Sequence, residues 1–377
     1  LYIGLDEISE SEGLDRSHMK LPQSQIDLLE AVAAANPNVV AVMSAGSAVE
    51  MRKCRALVHG YLCGQAGASS VLKVIMGQVN PSGKLAESYP VKYEDVSSAP
   101  YFPSKERNAE YREGLYVGYR YFETANVPVL FPFGFGLSYT TFEYSDLTVT
   151  DKEASFTLKN TGGMDGAEVA QLYVSKPDGG VFRPAKELKG FAKVFLKAGE
   201  SRWVTIKLDD EAFRYSNVDT NRFEVEGGQW TVLIGASVAD IKLSGAVEIK
   251  GTNAASPYDR DKFAKYFSGD IKNISDGEFE ALLGRPIPNG HWSGMLDMND
   301  ALCQMYYAKG AAGRLAYKIL THFINKSIEK GQPNQNLLFN YNMPFRAIAK
   351  MTGGISMVIF FFVNKIIFPE GEANKRT

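Results

Sequence analysis

"LYIGLDEISESEGLDRSHM", residues 1–19, is a short apolar run followed at once by a loop dense in charge. An apolar run without alternation is the mark of a strand covered on both faces, as in a parallel sheet. Beyond the loop, Ile26, Leu29, Val32 and Ala33 recur at helical spacing, and "NPN" at 36–38 stops that helix before a second apolar run, "VVAVM" at 39–43. Strand, helix, strand is the rhythm of an α/β fold with an open, mostly parallel sheet. "ALVHGYL" at 56–62 reads as a third strand and "ASSVLKVIM" at 68–76 as another helix, which carries the α/β reading to residue 90.

From 91 to 144 the pattern turns irregular and aromatic, with Tyr101, Tyr111, Tyr116, Tyr119, Tyr121, Phe131, Phe133, Phe135 and Tyr139 among Gly and Pro. Rings and turn residues in this density predict a packed covering layer. After it the period becomes two. "SDLTVT", "EASFTLKNT", "AEVAQLYVSKP", "KELKGFAKVFL", "SRWVTIKL", "FRYSN", "NRFEVEGGQWTVLIGAS" and "IKLSGAVEI" across 145–249 predict a small β-sandwich. Alternation ends near 255, where "SPYDRDKFAKYF", "SDGEFEALLG" and "ALCQMYYAKGAAGRLAYKILTHFINKSIEKG" read as helical. Ser275 and Glu278 have capping-box spacing, and Gly284 closes that helix. The expected division is therefore 1–144 α/β with its aromatic cover, 145–250 sandwich, and 251–377 helical extension of unassigned role.

The bulk numbers narrow the partners. Lys and Arg total 41 against 43 Asp and Glu, a formal charge of −2, so nothing attracts nucleic acid or an anionic membrane surface. A near-neutral substrate fits. Cys54, Cys63 and Cys303 form no CxxC pattern and are read as reduced core thiols. The four histidines lack HExxH spacing, so no metal or other cofactor is expected. "ISMVIFFFVNKIIF" at 355–368 is broken by Asn364 and Lys365 and falls short of the ~20 residues of a spanning helix, which favours a buried or interfacial helix. The location is left open, with the cytoplasm favoured over secretion.

Four stretches, in this order, carry a family likeness: "SEGLDR" at 11–16, "GQVNPSGKLAESYP" at 77–90, "GLYVGYRYFE" at 114–123 with "LFPFGFGLSYTTFEYS" at 130–145, and "RPAKELKGFAKVFLKAGES" at 183–201. Over residues 1–250 the chain resembles the C-terminal half of glycoside hydrolase family 3, the β-glucosidase and β-xylosidase family, including its fibronectin type III-like module. The resemblance implies a retaining, exo-acting β-glycosidase whose "SEGLDR" loop supplies the acid/base carboxylate. It departs from the family at Cys63–Ala68, where many members read P-G-Q-E-G-G, and at Ala48, where proline is common. A β-glucosidase is the favoured expectation, with a β-xylosidase or arabinosidase as the alternatives within the class.

Retaining glycoside hydrolysis needs two carboxyl groups, one to attack the anomeric carbon and one to protonate the leaving oxygen. The loop at 6–22 follows a strand of an open sheet, whose carboxyl edge is where such sheets place ligands, and it exceeds the ~2–6 residues usual there. With the resemblance, Glu12 is the expected general acid/base and Glu10 the fallback. Asp15 and Arg16 are read as a pair that shapes the loop and either binds the substrate or lies behind it, and His18 as a surface or packing residue. "GQVNPSGKL" puts five residues between its glycines and follows Lys84 with Leu85, so it is a turn and not a phosphate loop. "FGFG" at 133–136 leads into a sandwich and is read as structural.

In the family the nucleophile is an aspartate on a separate (β/α)₈ barrel, which needs ~250 residues of alternating strand and helix. No stretch here supplies it. The expectation is a fragment of a larger enzyme, cut at its N-terminus, acting on β-linked glucosides or other small oligosaccharides and inactive alone. The alternative is a non-catalytic carbohydrate-binding or scaffolding module.

Overall fold

The computed structural model describes residues 1–7, 9–10, 15–16, 18–51, 54–209, 211–330 and 333–351. Strands β1 (Tyr2–Gly4), β2 (Val40–Ser44) and β3 (Ala56–His59) form a parallel sheet in sequential order, with Ile3 opposite Met43 and Val42 opposite Val58. Helix α1 (Gln23–Ala35) crosses from β1 to β2 and turns Ile26 and Leu29 onto Ile3, Ala41 and Met43. Helix α2 (Gly67–Ile75) follows β3. The third strand is shorter than its apolar run, because the chain turns at Tyr61, whose φ is 51°.

Of the aromatic segment, Phe131 packs against the sheet's core, whereas Tyr116, Tyr121 and Phe122 form a separate cluster with Phe182 and the extension. Strands β4 (Tyr89–Pro90) and β5 (Val129–Phe131) pair antiparallel, with α3 (Tyr119–Thr124) between them in sequence. Tyr89, Tyr116, Tyr119, Tyr121 and Phe122 are buried, so packing and not a sugar face accounts for the rings at 116–121.

The sandwich sets three antiparallel strands, β6 (Phe142–Val149), β7 (Glu153–Asn160) and β10 (Ser201–Lys207), against four, β8 (Gly166–Ser175), β9 (Glu187–Leu196), β13 (Gly228–Gly235) and β14 (Ile241–Ile249). Alternate residues face inward, as the period requires: Phe156 and Leu158 from one sheet meet Leu172, Val174, Trp230, Val232 and Ile234 from the other. "NRFEVEGGQWTVLIGAS" does not form one strand. It splits at Gly228, whose φ of 102° excludes an ordinary side chain, into β12 (Arg222–Val225) and β13, and β12 pairs with β11 (Arg214–Asn217) in a separate hairpin.

The helical extension is more broken than its sequence suggests. Helix α4 occupies only Ala264–Ser268 of its stretch. In α5 (Asp276–Leu283), Ser275 Oγ accepts from Glu278 N at 3.2 Å and Gly284 closes the helix with φ 71°. The return bond of the capping box is replaced, since the Glu278 carboxylate accepts from Lys265 N at 2.8 Å. A 3₁₀ turn at Leu302–Tyr307 precedes α6 (Ala311–Glu329), followed by α7 (Gln335–Tyr341) and α8 (Phe345–Met351). The apolar stretch 355–368 lies outside the described residues, and among those no helix is long and apolar enough to cross a membrane. The cysteines are free: Cys54 is half-buried against the sheet's core and Cys303 is half-buried, whereas Cys63 is exposed and not a core thiol.

Two junctions bind these parts. Within "GQVNPSGKL", Asn80 Oδ1 accepts from Tyr139 N at 2.8 Å and Asn80 Nδ2 donates to Asp165 O at 3.0 Å, so the turn grips the sandwich. Lys84 Nζ meets Glu168 Oε1 at 2.9 Å, with side chains only 12% and 7% exposed. Gln171 Nε2 donates to Gly134 O at 3.1 Å, and a Cβ on Gly134 (φ 80°) would run into that same amide, which is the structural role of "FGFG". Lower down, Phe182 from the β8–β9 loop is buried among Tyr116, Phe263, Tyr266 and Phe279. Removing one partner of a buried ion pair costs about 3–5 kcal/mol, whereas replacing both with apolar groups is far milder. Glu168→Leu alone is therefore expected to lower urea stability by roughly that amount, and Lys84→Met/Glu168→Leu to recover most of it.

Candidate active site

The loop between β1 and α1 leaves the carboxyl end of the sheet and is held at several points. Ser9 N donates to Asp6 Oδ1 at 2.9 Å, and Glu10 N donates to Asp6 O at 3.1 Å. The Glu10 carboxylate accepts a short hydrogen bond from Gly46 N, just past β2. On the other flank Arg16 Nη2 donates to Ser47 Oγ at 2.6 Å. The expected Asp15–Arg16 pair does not form: Arg16 turns toward the β2–β3 connection, while Asp15 lies in the wall of a cavity. From the extension, Gln335 Nε2 donates to Glu7 Oε2 at 2.8 Å. Glu12 itself lies outside the described residues. His18 is exposed, and its Nδ1 accepts from Lys20 N at 3.2 Å, a surface role as expected.

Around this edge the structure adds groups that sequence reasoning missed. His59, at the end of β3, sits 2.6 Å from Tyr89 Oη through Nε2, and its Nδ1 faces the Met43 carbonyl at 3.4 Å. A carbonyl can only accept, so Nδ1 carries the proton and Tyr89 donates to Nε2. Burial favours this neutral ring and lowers the His59 pKa, against the Met43 carbonyl and the Glu10 charge. Glu87 is the second addition. Burial raises its carboxyl pKa, although the Ala48 backbone amide and Arg16 pull the other way. A half-buried carboxyl with a raised pKa can hold or pass a proton, the property asked of a general acid. One Arg16 nitrogen, Nη1, is buried without a hydrogen-bond partner. The edge therefore offers carboxyl, hydroxyl, imidazole and guanidinium groups converging on one rim. That set suits hydroxyl-rich ligands and proton transfer.

An open parallel sheet with an acidic loop at its carboxyl rim, clamped to a β-sandwich, defines a multidomain protein of the α/β-plus-sandwich class. Residues 1–139 match the glycosyl hydrolase family 3 C-terminal domain and residues 168–238 the fibronectin type III-like domain. The chain belongs to glycoside hydrolase family 3, of which it holds these two domains. It is 46% identical over 263 residues to the thermostable beta-glucosidase B of Acetivibrio thermocellus, covering 67% of this chain and 35% of that protein. It is 42% identical over 266 residues to the exo-alpha-(1->6)-L-arabinopyranosidase of Bifidobacterium longum, covering 68% and 35%. Among solved structures, the GH3 beta-glucosidase of Bifidobacterium adolescentis superimposes with a TM-score of 0.65 at 40% identity, covering 74% of this chain and 41% of that one. The beta-glucosidase of Kluyveromyces marxianus in complex with glucose gives 0.63 at 40% identity, covering 66% and 31%. The chain thus spans about a third of the length of the curated relatives it matches.

Because folding raises the Glu87 pKa, the native state binds this proton more tightly than the unfolded chain. Its contribution is full below the ordinary carboxylate pKa and is lost as pH rises through the native value. Glu87→Gln is accordingly expected to raise the melting temperature at pH 7 and to leave it unchanged near pH 4, read by thermal unfolding at both pH values.

Proposed function

We infer that the chain is the acid/base half of a retaining β-glycosidase active site, most closely a β-glucosidase, with Glu12 as general acid and base. The observation that carries this reading is the fastening of the loop on both sides of Glu12, by Glu10 to Gly46 and by Arg16 to Ser47, at the carboxyl rim of a parallel sheet. A carboxyl group held there can protonate a leaving oxygen and later deprotonate water. Glu10 spends one carboxylate oxygen on a backbone amide, which favours Glu12 over it as the proton donor. Arg16, with a buried nitrogen open to a partner, suits a substrate hydroxyl. Asp15 is a wall residue of the adjoining cavity and a candidate leaving-group contact.

The attacking aspartate comes from a (β/α)₈ barrel domain that faces this rim, and β-linked glucosides are the substrates. The relatives named above as glucosidases and an arabinopyranosidase favour this enzymatic reading over a non-catalytic binding or scaffolding module. The division at 144 and 250 into α/β domain, sandwich and helical extension fits it.

General acid catalysis contributes about 10²–10⁴ in rate. In the enzyme completed by a barrel, Glu12→Gln is expected to cut kcat on cellobiose by about that factor, and to affect an activated aryl glucoside less. Glu10→Gln should keep most activity. Equal activity of Glu12→Gln and wild type on cellobiose, with loss in Glu10→Gln, would overturn the assignment. The 377-residue chain by itself should show no turnover of an aryl β-glucoside.

A further inference from the structure

A cavity of about 630 Å³ opens between the aromatic segment near 98–113 and the helical extension, with Asp15 in its wall. It falls within the ~300–1,000 Å³ of ordinary small-molecule sites. Its floor is rigid. Trp292 and Tyr307 stack at 4.6 Å with 2° between planes, Arg107 lies over Trp292 at 5.4 Å, and Trp292 Nε1 donates to Lys105 O at 3.1 Å. Tyr111 and Tyr306 line the same space and remain 75% and 59% exposed, leaving ring surface open to a ligand.

The deciding group is Glu113. It lines the cavity, is only 6% exposed, and its Oε2 is buried with no hydrogen-bond partner. A buried carboxylate oxygen left unpaired is costly, and a ligand that donates to it removes the cost. The neighbouring cations are committed elsewhere: Arg112 pairs with Glu110 at 2.6 Å and Asp276 at 2.7 Å, and Arg107 with Asp297 at 2.6 Å and Asp300 at 3.1 Å. An anion would meet four carboxylates in the wall, Asp15, Glu106, Glu110 and Glu113, against the one guanidinium of Arg107, which is already paired. A ligand with many hydroxyl donors and apolar C–H faces matches both the carboxylate acceptors and the open rings, and that is a saccharide.

We propose that this cavity is a saccharide-binding site built jointly by residues 98–113 and the helical extension, taking the sugar on the leaving-group side of the glycosidic bond. The leaving-group assignment rests on the acid/base reading, since Asp15 joins the cavity to the acidic loop. Saccharide binding itself does not. The extension then has a task. It supplies Trp292, Tyr306 and Tyr307 and touches the loop again through Gln335 and Glu7.

Isothermal titration of the whole chain with cellobiose tests this, with tryptophan emission from Trp292 as a second readout. Saturable binding is expected in the wild type, weakened about tenfold or more in Glu113→Gln and Tyr306→Ala, as for loss of a charged hydrogen bond or a stacking ring. Absence of saturable heat in the wild type would overturn the proposal. So would undiminished affinity in both cavity variants with wild-type near-ultraviolet circular dichroism, or binding of choline chloride in preference to cellobiose. Normal cellobiose binding together with full hydrolysis by a Glu12→Gln enzyme would overturn only the catalytic assignment.

Discussion

The Lys84–Glu168 contact is the constraint on which the rest of the molecule depends. Two opposite charges are withdrawn from water where a glycine-rich turn of the α/β domain meets β8, the third strand of the sandwich. Such a pair tolerates little displacement, because either charge alone in that environment is strongly unfavourable. Asn80 and Gln171 add neutral hydrogen bonds on the same seam, from Tyr139 and to Gly134. The parallel sheet, and with it the acidic rim, is therefore oriented by the sandwich and not only by its own small core. The motif that looks like a phosphate loop is a hinge pin between two domains.

The rim itself follows a division of labour among similar side chains. Glu10, Arg16 and Glu7 fasten the loop to Gly46, Ser47 and Gln335, so these charged groups hold its shape. His59 and Tyr89 extend the rim as a neutral hydrogen-bonded pair. Burial makes Glu87 hold its proton more tightly than a free carboxyl would. Carboxyl groups of one chemical type thus take different duties, decided by what donates to each and how much water reaches it.

Much of this was legible in the sequence wherever a repeat or a turn residue fixed the geometry. Continuous apolar runs gave the three parallel strands, and period-two alternation gave the sandwich. The failures have local causes. Gly227 and Gly228 look like a continuation of one strand, but the positive φ at Gly228 ends it and frees β12 for its own hairpin. Residues 301–331 carry helical spacing throughout, yet the chain breaks before α6, where Arg314 Nη1 donates to Ala308 O at 2.8 Å and Lys309 O at 2.6 Å. In the site, the loop's position was readable but its partners were not. Arg16 bonds Ser47, thirty-one residues away, in preference to its neighbour Asp15. Glu87 acquires its raised pKa only through burial in the fold, against the pull of Ala48 and Arg16.

Phe182 carries a consequence for modularity. It belongs by chain order to the sandwich, yet its ring lies among Tyr116, Tyr258, Phe263 and Tyr266, with the Tyr266 ring stacked at 5.2 Å. Fibronectin-like units are often pictured as beads that slide on or off a string. Here the bead is threaded through by a plug, and transplanting it into another host would carry a bare phenyl ring into water unless the receiving surface offered an equally greasy socket.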